Sequence, residues 1–194
     1  MPRLDRLNAA HPEFDVRIDA TDTLIDFSDG GVDIALRYGR GTYPGLVSEP
    51  LMPEIAFPVC SPALLEGAHP LHQPEDLSHH TLLHVQWKME SEAAPNWRMW
   101  LRAAGVDGID AERGPRFTIE GMTVQAAIEG QGVALVSGSL VADDIKAGRL
   151  VRPFGPTICE QTAFSYYLVY PERDADSPKV KAFRDWIMAE IAID

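Results

Sequence analysis

The sequence predicts an α/β fold built on mostly parallel sheets. Short apolar runs of strand length alternate with helix-length segments along all 194 residues, and no internal repeat is present. This length suffices for one large domain or two small ones, each with a usable core.

The elements follow in order. Residues 3–10 read as a short helix with Leu4 and Leu7 on one face, stopped by Pro12. Phe14, Val16 and Ile18 then alternate with Asp15, Arg17 and Asp19, the period of a strand with one buried face. Residues 22–28 form a short helix with Leu24 and Phe27 three apart, broken by Gly30 and Gly31. Residues 32–36 are an apolar strand ending at Arg37, Tyr38 and Gly39, and the loop 39–45 follows. Residues 46–59 are extended, with Pro50, Pro53 and Pro58 confining them to edges and connections. Ser61 and Pro62 open a helical turn.

Residues 81–86 are a strand, and Asn96 caps a helix over 97–104 that Gly105 ends. Strand 116–119, helix 122–129 with Gly130 behind it, and buried strand 133–136 come next. Helix 140–147, a short strand at 150–153 and a β-prone strand at 164–170 precede the last helix, 178–191, which begins at Ser177 and Pro178. Two extended, unbroken stretches stand out, near 54–60 and 161–168. If both cross between lobes, one lobe is residues 1–56 with 167–194 and the other is 57–166. A gap between such lobes is where α/β proteins usually hold ligands.

Composition narrows the function. The chain carries 17 basic and 29 acidic residues, a net charge of −12, and no basic run. DNA binders concentrate Lys and Arg against the phosphates, so this stretch is expected to be repelled by nucleic acid. No apolar run reaches the ~20 residues of a membrane helix. The N-terminus lacks an apolar signal region, which leads to an expectation of the cytoplasm. Cys60 and Cys159 match no metal or redox spacing and read as small buried hydrophobes.

Catalytic patterns are missing. Val136-Ser137-Gly138-Ser139 lacks the flanking glycines of a nucleophile elbow. His79, His80 and His84 have a poor spacing for a metal and no acid or cysteine completes them. Gly130-Gln131-Gly132 lies between a helix and a strand, the reverse of the dinucleotide order. Asp143 and Asp144 read as solvated helix residues. No cofactor is expected, and the chain is not expected to be an enzyme.

Five stretches, in order, resemble one family. They are residues 4–18 (LDRLNAAHPEFDVRI), 31–39 (GVDIALRYG), 57–65 (FPVCSPALL), 126–135 (AAIEGQGVAL) and 166–171 (YYLVYP) with the helix behind it. Together they resemble the effector-binding domain of LysR-type transcription regulators, in the branch of the glycine-cleavage activator. The resemblance implies two Rossmann-like lobes of the type II periplasmic-binding-protein fold, a small-molecule effector, and a homodimer or homotetramer. It also implies DNA contact through an N-terminal helix-turn-helix outside these residues. In the family a strand and a loop precede the helix that here begins at Arg3. The first lobe is therefore expected to be disturbed, to borrow a segment, or to bind ligand poorly.

Candidate ligand contacts come from residues and resemblance together. Gly121, Met122 and Thr123 sit at a helix start, where free N–H groups and the dipole suit an anion. A packed, ordinary helix cap is the alternative. Arg37 ends a strand and suits a carboxylate, or else pairs with Asp33 or another acid. Thr21 and Asp22 resemble residues lining the family's ligand site, or else form a turn and cap. Tyr166 resembles a ligand-site tyrosine of the family, or else is a sheet aromatic. A small acid or amino acid is the expected effector. The rival reading is a solute-binding protein or transport receptor of the same fold.

Overall fold

The computed structural model describes residues 3–19, 21, 25–86, 94–155 and 160–192, without the side chains of 53, 54 and 160–164. The chain divides into two compact units, Met1–Pro53 with Phe164–Asp194, and Glu54–Ala163. The strand order is β1 (Ala35–Gly39), β6 (Glu160–Pro171), β2 (Leu46–Val59), β5 (Val133–Ser137), β3 (Leu82–Val85) and β4 (Arg116–Phe117), and it takes in both units because β2 and β6 each have an end in both.

In the first unit, β1, Ala35–Gly39, pairs antiparallel with β6, from Ala35 opposite Val169 to Gly39 opposite Ser165. Phe27, Ala35 and Val169 are buried together on one side, and Leu168, Tyr170 and Val180 on the other. Val180 belongs to the last helix, Pro178–Ile191. Ser177 caps that helix as expected, its hydroxyl accepting the Val180 N–H at 3.3 Å, with Pro178 in the first turn. The first helix α1, Leu4–Ala10, buries Leu7. Arg3 and Arg6 both reach Glu190 on the last helix, at 3.3 and 2.9 Å.

Residues 14–19 are not a strand. Their alternation fits one, but a strand needs a neighbour to take its N–H and C=O groups. No described strand pairs with them, and Val16 and Ile18 are 40% and 50% exposed. Of the expected helix 22–28, residues 22–24 lie outside the described set. The rest holds only the turn Phe27–Asp29, whose N-cap Asp26 accepts the Ser28 N–H at 2.8 Å.

The second unit is a sheet with helices and a larger core. In it, β3, Leu82–Val85, runs parallel to β5, Val133–Ser137, and to the short β4, Arg116–Phe117. The end of β2 pairs antiparallel with β5, Ala56 opposite Ser137. The sheet pairs are thus mixed, not mostly parallel. Helix α2, Trp97–Ala104, is bounded as its residues require. Asn96 accepts the Met99 N–H at 2.9 Å, and Gly105 turns left-handed at φ 71°. It seats Trp97 and Trp100 edge to face, centroids 5.8 Å apart, with Phe154 5.3 Å from Trp100. The buried Trp97 indole Nε1–H donates to the Leu83 carbonyl at 3.0 Å.

Helix α3, Glu120–Ile128, packs beside β5 and β3, and α4, Gly138–Lys146, follows β5 directly. Both start two residues earlier than their sequence pattern suggests. The expected strand 150–153 is only a single bridge, Val151 to Cys60. No helix among the described residues is long and apolar enough to cross a membrane.

Candidate functional site

The strand expected over 32–36 is instead Ala35–Gly39, so Arg37 lies in the middle of β1, opposite Tyr167, and not at a strand end. Its guanidinium sits 5.5 Å from the centre of the Tyr43 ring. Burial pushes the Tyr43 phenol up, and the Arg37 charge partly offsets that. The Arg37 Nε is buried without a hydrogen-bond partner, and among the described residues Arg37 makes no ion pair. Asp33, the acid expected as its structural partner, faces Lys179 instead, at 3.5 Å. On the next residue pair of the ladder, Tyr38 and Tyr166 meet with ring centroids 5.1 Å apart. Thr21 is exposed, and Asp22 lies outside the described residues. The first unit also has an open recess of about 360 Å³ lined by Phe27, Val32, Asp33, Arg173 and Lys179, which holds none of the expected contacts.

In the second unit, Gly121, Met122 and Thr123 fall in the opening turns of α3. The cap residue Ile119 offers no side-chain bond. Met122 N–H bonds the Ile119 carbonyl at 3.0 Å, while the Glu120 and Gly121 N–H groups precede any intrahelical acceptor. Gly121 is exposed, and a Cβ added there would meet nothing within 4 Å. Met122 is 54% exposed. Thr123 is wholly buried, and its hydroxyl has no partner.

Two residues here escaped the sequence reading. The Glu120 carboxylate accepts the Ser137 N–H at 2.7 Å, tying the start of α3 to the start of α4. Ser137 is 1% exposed, and its hydroxyl also lacks a partner. The signal was a serine before glycine at a strand-to-helix junction, hidden because the helix was expected only from residue 140.

The remaining titratable candidates are structural. His84 is buried and its Nε2–H donates to the Arg113 carbonyl at 3.1 Å, with burial holding its pKa below the usual value. His69 and His79 stack at 4.5 Å, and among the described residues no three His, Cys, Asp or Glu side chains could share a metal ion. Cys60 is buried and free, its thiol pushed up to about 12 by desolvation. Cys159 lies outside the described residues. Asp144 is bound by Arg149 at 2.6 Å.

Two α/β units sharing two long strands, with unspent hydrogen-bonding groups at strand ends and helix starts, define a ligand-binding domain of the type II periplasmic-binding-protein fold. The chain belongs to the LysR substrate binding domain family, which matches residues 1–192. It is 44% identical over 192 residues, 99% of this chain, to the glycine cleavage system transcriptional activator of Escherichia coli (strain K12). It is 31% identical over 98% of its length to the homologous activator of Haemophilus influenzae. The chain spans 60% of the length of each of these relatives. Among solved structures it resembles the effector domain of the transcriptional regulator AmpR of Pseudomonas aeruginosa. That match has a TM-score of 0.80 and 28% identity, and covers 99% of this chain and 88% of that one. These relatives are regulators, not enzymes, which favours an effector-binding domain over a transport receptor.

Proposed function

We propose that this chain senses a small carboxylate-bearing effector on behalf of a LysR-type transcription regulator. One observation carries the ligand class: the half-buried Arg37 guanidinium has no acid beside it among the described residues, and its Nε donor is unused. A guanidinium kept from water without an anion is costly, and its planar fork suits a carboxylate. The proposed contacts are Thr21, Asp22, Arg37, Gly121, Met122, Thr123 and Tyr166.

The proposed lobes are residues 1–56 with 167–194, and residues 57–166. The division into compact units after Pro53 and after Ala163 supports this reading. The regulator is proposed to work as a homodimer or homotetramer in the cytoplasm. DNA would be held by an N-terminal helix-turn-helix outside these residues. The net charge of −12 supports leaving DNA to another segment. A thermal-shift screen of amino acids, purines and aromatic acids tests the proposal, since a ligand of the folded state raises its melting temperature. At least one carboxylate is expected to shift the wild type. A response confined to compounds without a carboxylate contradicts the ligand class.

A further inference from the structure

Residues 40–45 join β1 to β2 in the first unit, and the sequence fixes the end of this loop. Residues 43–46 read Tyr-Pro-Gly-Leu. Pro44 presets φ at the second position, Gly45 takes φ 75° at the third, and the Leu46 N–H donates to the Tyr43 carbonyl at 3.2 Å. This is the signature of a type II turn, and it sets the Tyr43 backbone. Two close approaches then lay the loop against the strands. A Cβ on Gly39, the last residue of β1, would stand 2.6 Å from the Tyr43 Oη. A Cβ on Gly41 would stand 2.4 Å from the Tyr167 Cε1 and Cζ. Tyr167 is the residue opposite Arg37 on β6.

Tyr43, Arg37 and Tyr167 therefore share one face of the β1–β6 pair, where the two tyrosines pack against Phe27, Ala35 and Val169. The Arg37 Cζ is 5.5 Å from the centre of the Tyr43 ring, inside the ~6 Å reach of a cation–π contact. Burial pushes the Tyr43 phenol up, so it is neutral at neutral pH. Its hold on the guanidinium is through the ring face and is not an ion pair. The buried Arg37 Nε–H stays without a partner while the ring fixes the group that carries it.

We infer that Tyr43 is a positioning residue for the effector: its ring holds the Arg37 guanidinium in one orientation, so that a carboxylate meets a fork already aimed. This rests on the carboxylate reading of Arg37 and deepens it. One face of the guanidinium is taken by Tyr43, so the carboxylate approaches the edge of the fork, in its plane. A side chain anchored before the ligand arrives loses less freedom on binding. Setting a long side chain free weakens binding about 3- to 10-fold.

The test compares wild type with Tyr43→Phe and Tyr43→Leu in two measurements. The first is NMR of the arginine Nε–H groups without ligand, with the Arg37 signal assigned by its loss in Arg37→Lys. In wild type and Tyr43→Phe that signal is expected to be displaced by the ring current of residue 43, and in Tyr43→Leu to return to the position of an exposed arginine. The second is calorimetric titration with the carboxylates that respond in the screen above, L-leucine and benzoate among those tried, each beside its own amide. Tyr43→Leu is expected to bind the acid about 3- to 10-fold more weakly and the amide as wild type does, while Tyr43→Phe binds both as wild type does. An unchanged ratio of acid to amide affinity in Tyr43→Leu, with Arg37→Ala still abolishing acid binding, overturns the inference and leaves the carboxylate reading standing. So does a wild-type Arg37 signal at the position of an exposed arginine, which decides the matter even if Tyr43→Leu does not fold. A wild type that answers no carboxylate overturns the carboxylate reading instead, a separate result.

Discussion

Tyr38 and Tyr166 stand opposite each other across the β1–β6 ladder, their rings 5.1 Å apart and inclined at 46°. The pair lies one rung along the ladder from Arg37, and so on the opposite face of these strands from the Arg37 side chain. Tyr166→Phe keeps the rings in contact and is expected to cost less stability than Tyr166→Leu. Tyr166→Leu loses the ring pair and costs about 0.5–1.5 kcal/mol beyond lost area. Urea unfolding of the two variants measures the difference, and equal midpoints would remove the ring contact as a stabilising feature.

Trp100 is the centre of the second unit's core, wholly buried between Trp97 and Phe154. Trp100→Ala leaves a large cavity and is expected to cost about 3–5 kcal/mol. Trp100→Phe refills part of that space and is expected to recover a good part of the loss. Denaturant midpoints with an unchanged slope report it.

Gly132 lets β5 begin hard against residue 81. A Cβ there would stand 2.3 Å from the Thr81 carbonyl oxygen, the same oxygen that accepts the Val133 N–H at 2.9 Å. Backbone cannot swing aside as a side-chain tip can. Gly132→Ala is expected to destabilise by on the order of 1–3 kcal/mol. Gly121→Ala, with nothing within 4 Å of its Cβ, serves as the control and is expected to fold normally.

His84 gives the chain an acid-sensitive point. Burial favours the neutral ring, so the folded pKa lies below the model-peptide value of 6.5. The unfolded chain then binds the proton more readily, and stability rises with pH across that window. The contribution is fully present above about pH 6.5 and is lost as pH falls toward the folded value. His84→Gln is expected to flatten the stability–pH curve between those limits. A slope as steep as that of wild type assigns the effect to other groups.

Much of this architecture was legible, and the misses have physical causes. Asn96, Gly105, Ser177 and Pro178 mark helix ends through local chemistry, so their helices were read to the residue or nearly so. The segment 14–19 misled because alternation reports which side chains are apolar, not whether another strand lies alongside. The strand 150–153 shrank to one bridge at Val151 for the same reason. Of the proposed contacts, Thr123 is nameable from a helix start, while Arg37, expected at a strand end, lies in the middle of β1. Ser137 is not nameable, because its significance lies in a bond it fails to make, which no sequence displays. The Glu120 tie to Ser137 spans two elements and is a property of packing.

This domain is proposed to hold a small carboxylate-bearing molecule through Arg37 and to release it unchanged. Titration calorimetry of the responding carboxylate into wild type and Arg37→Ala, with the compound recovered and checked by NMR, tests it most directly. The expected result is saturable binding to wild type, at least tenfold weaker binding to the variant as ~1.4 kcal/mol of charged hydrogen bonding is lost, and an intact ligand. Equal affinity for the two proteins, or conversion of the ligand in the cell, would contradict it.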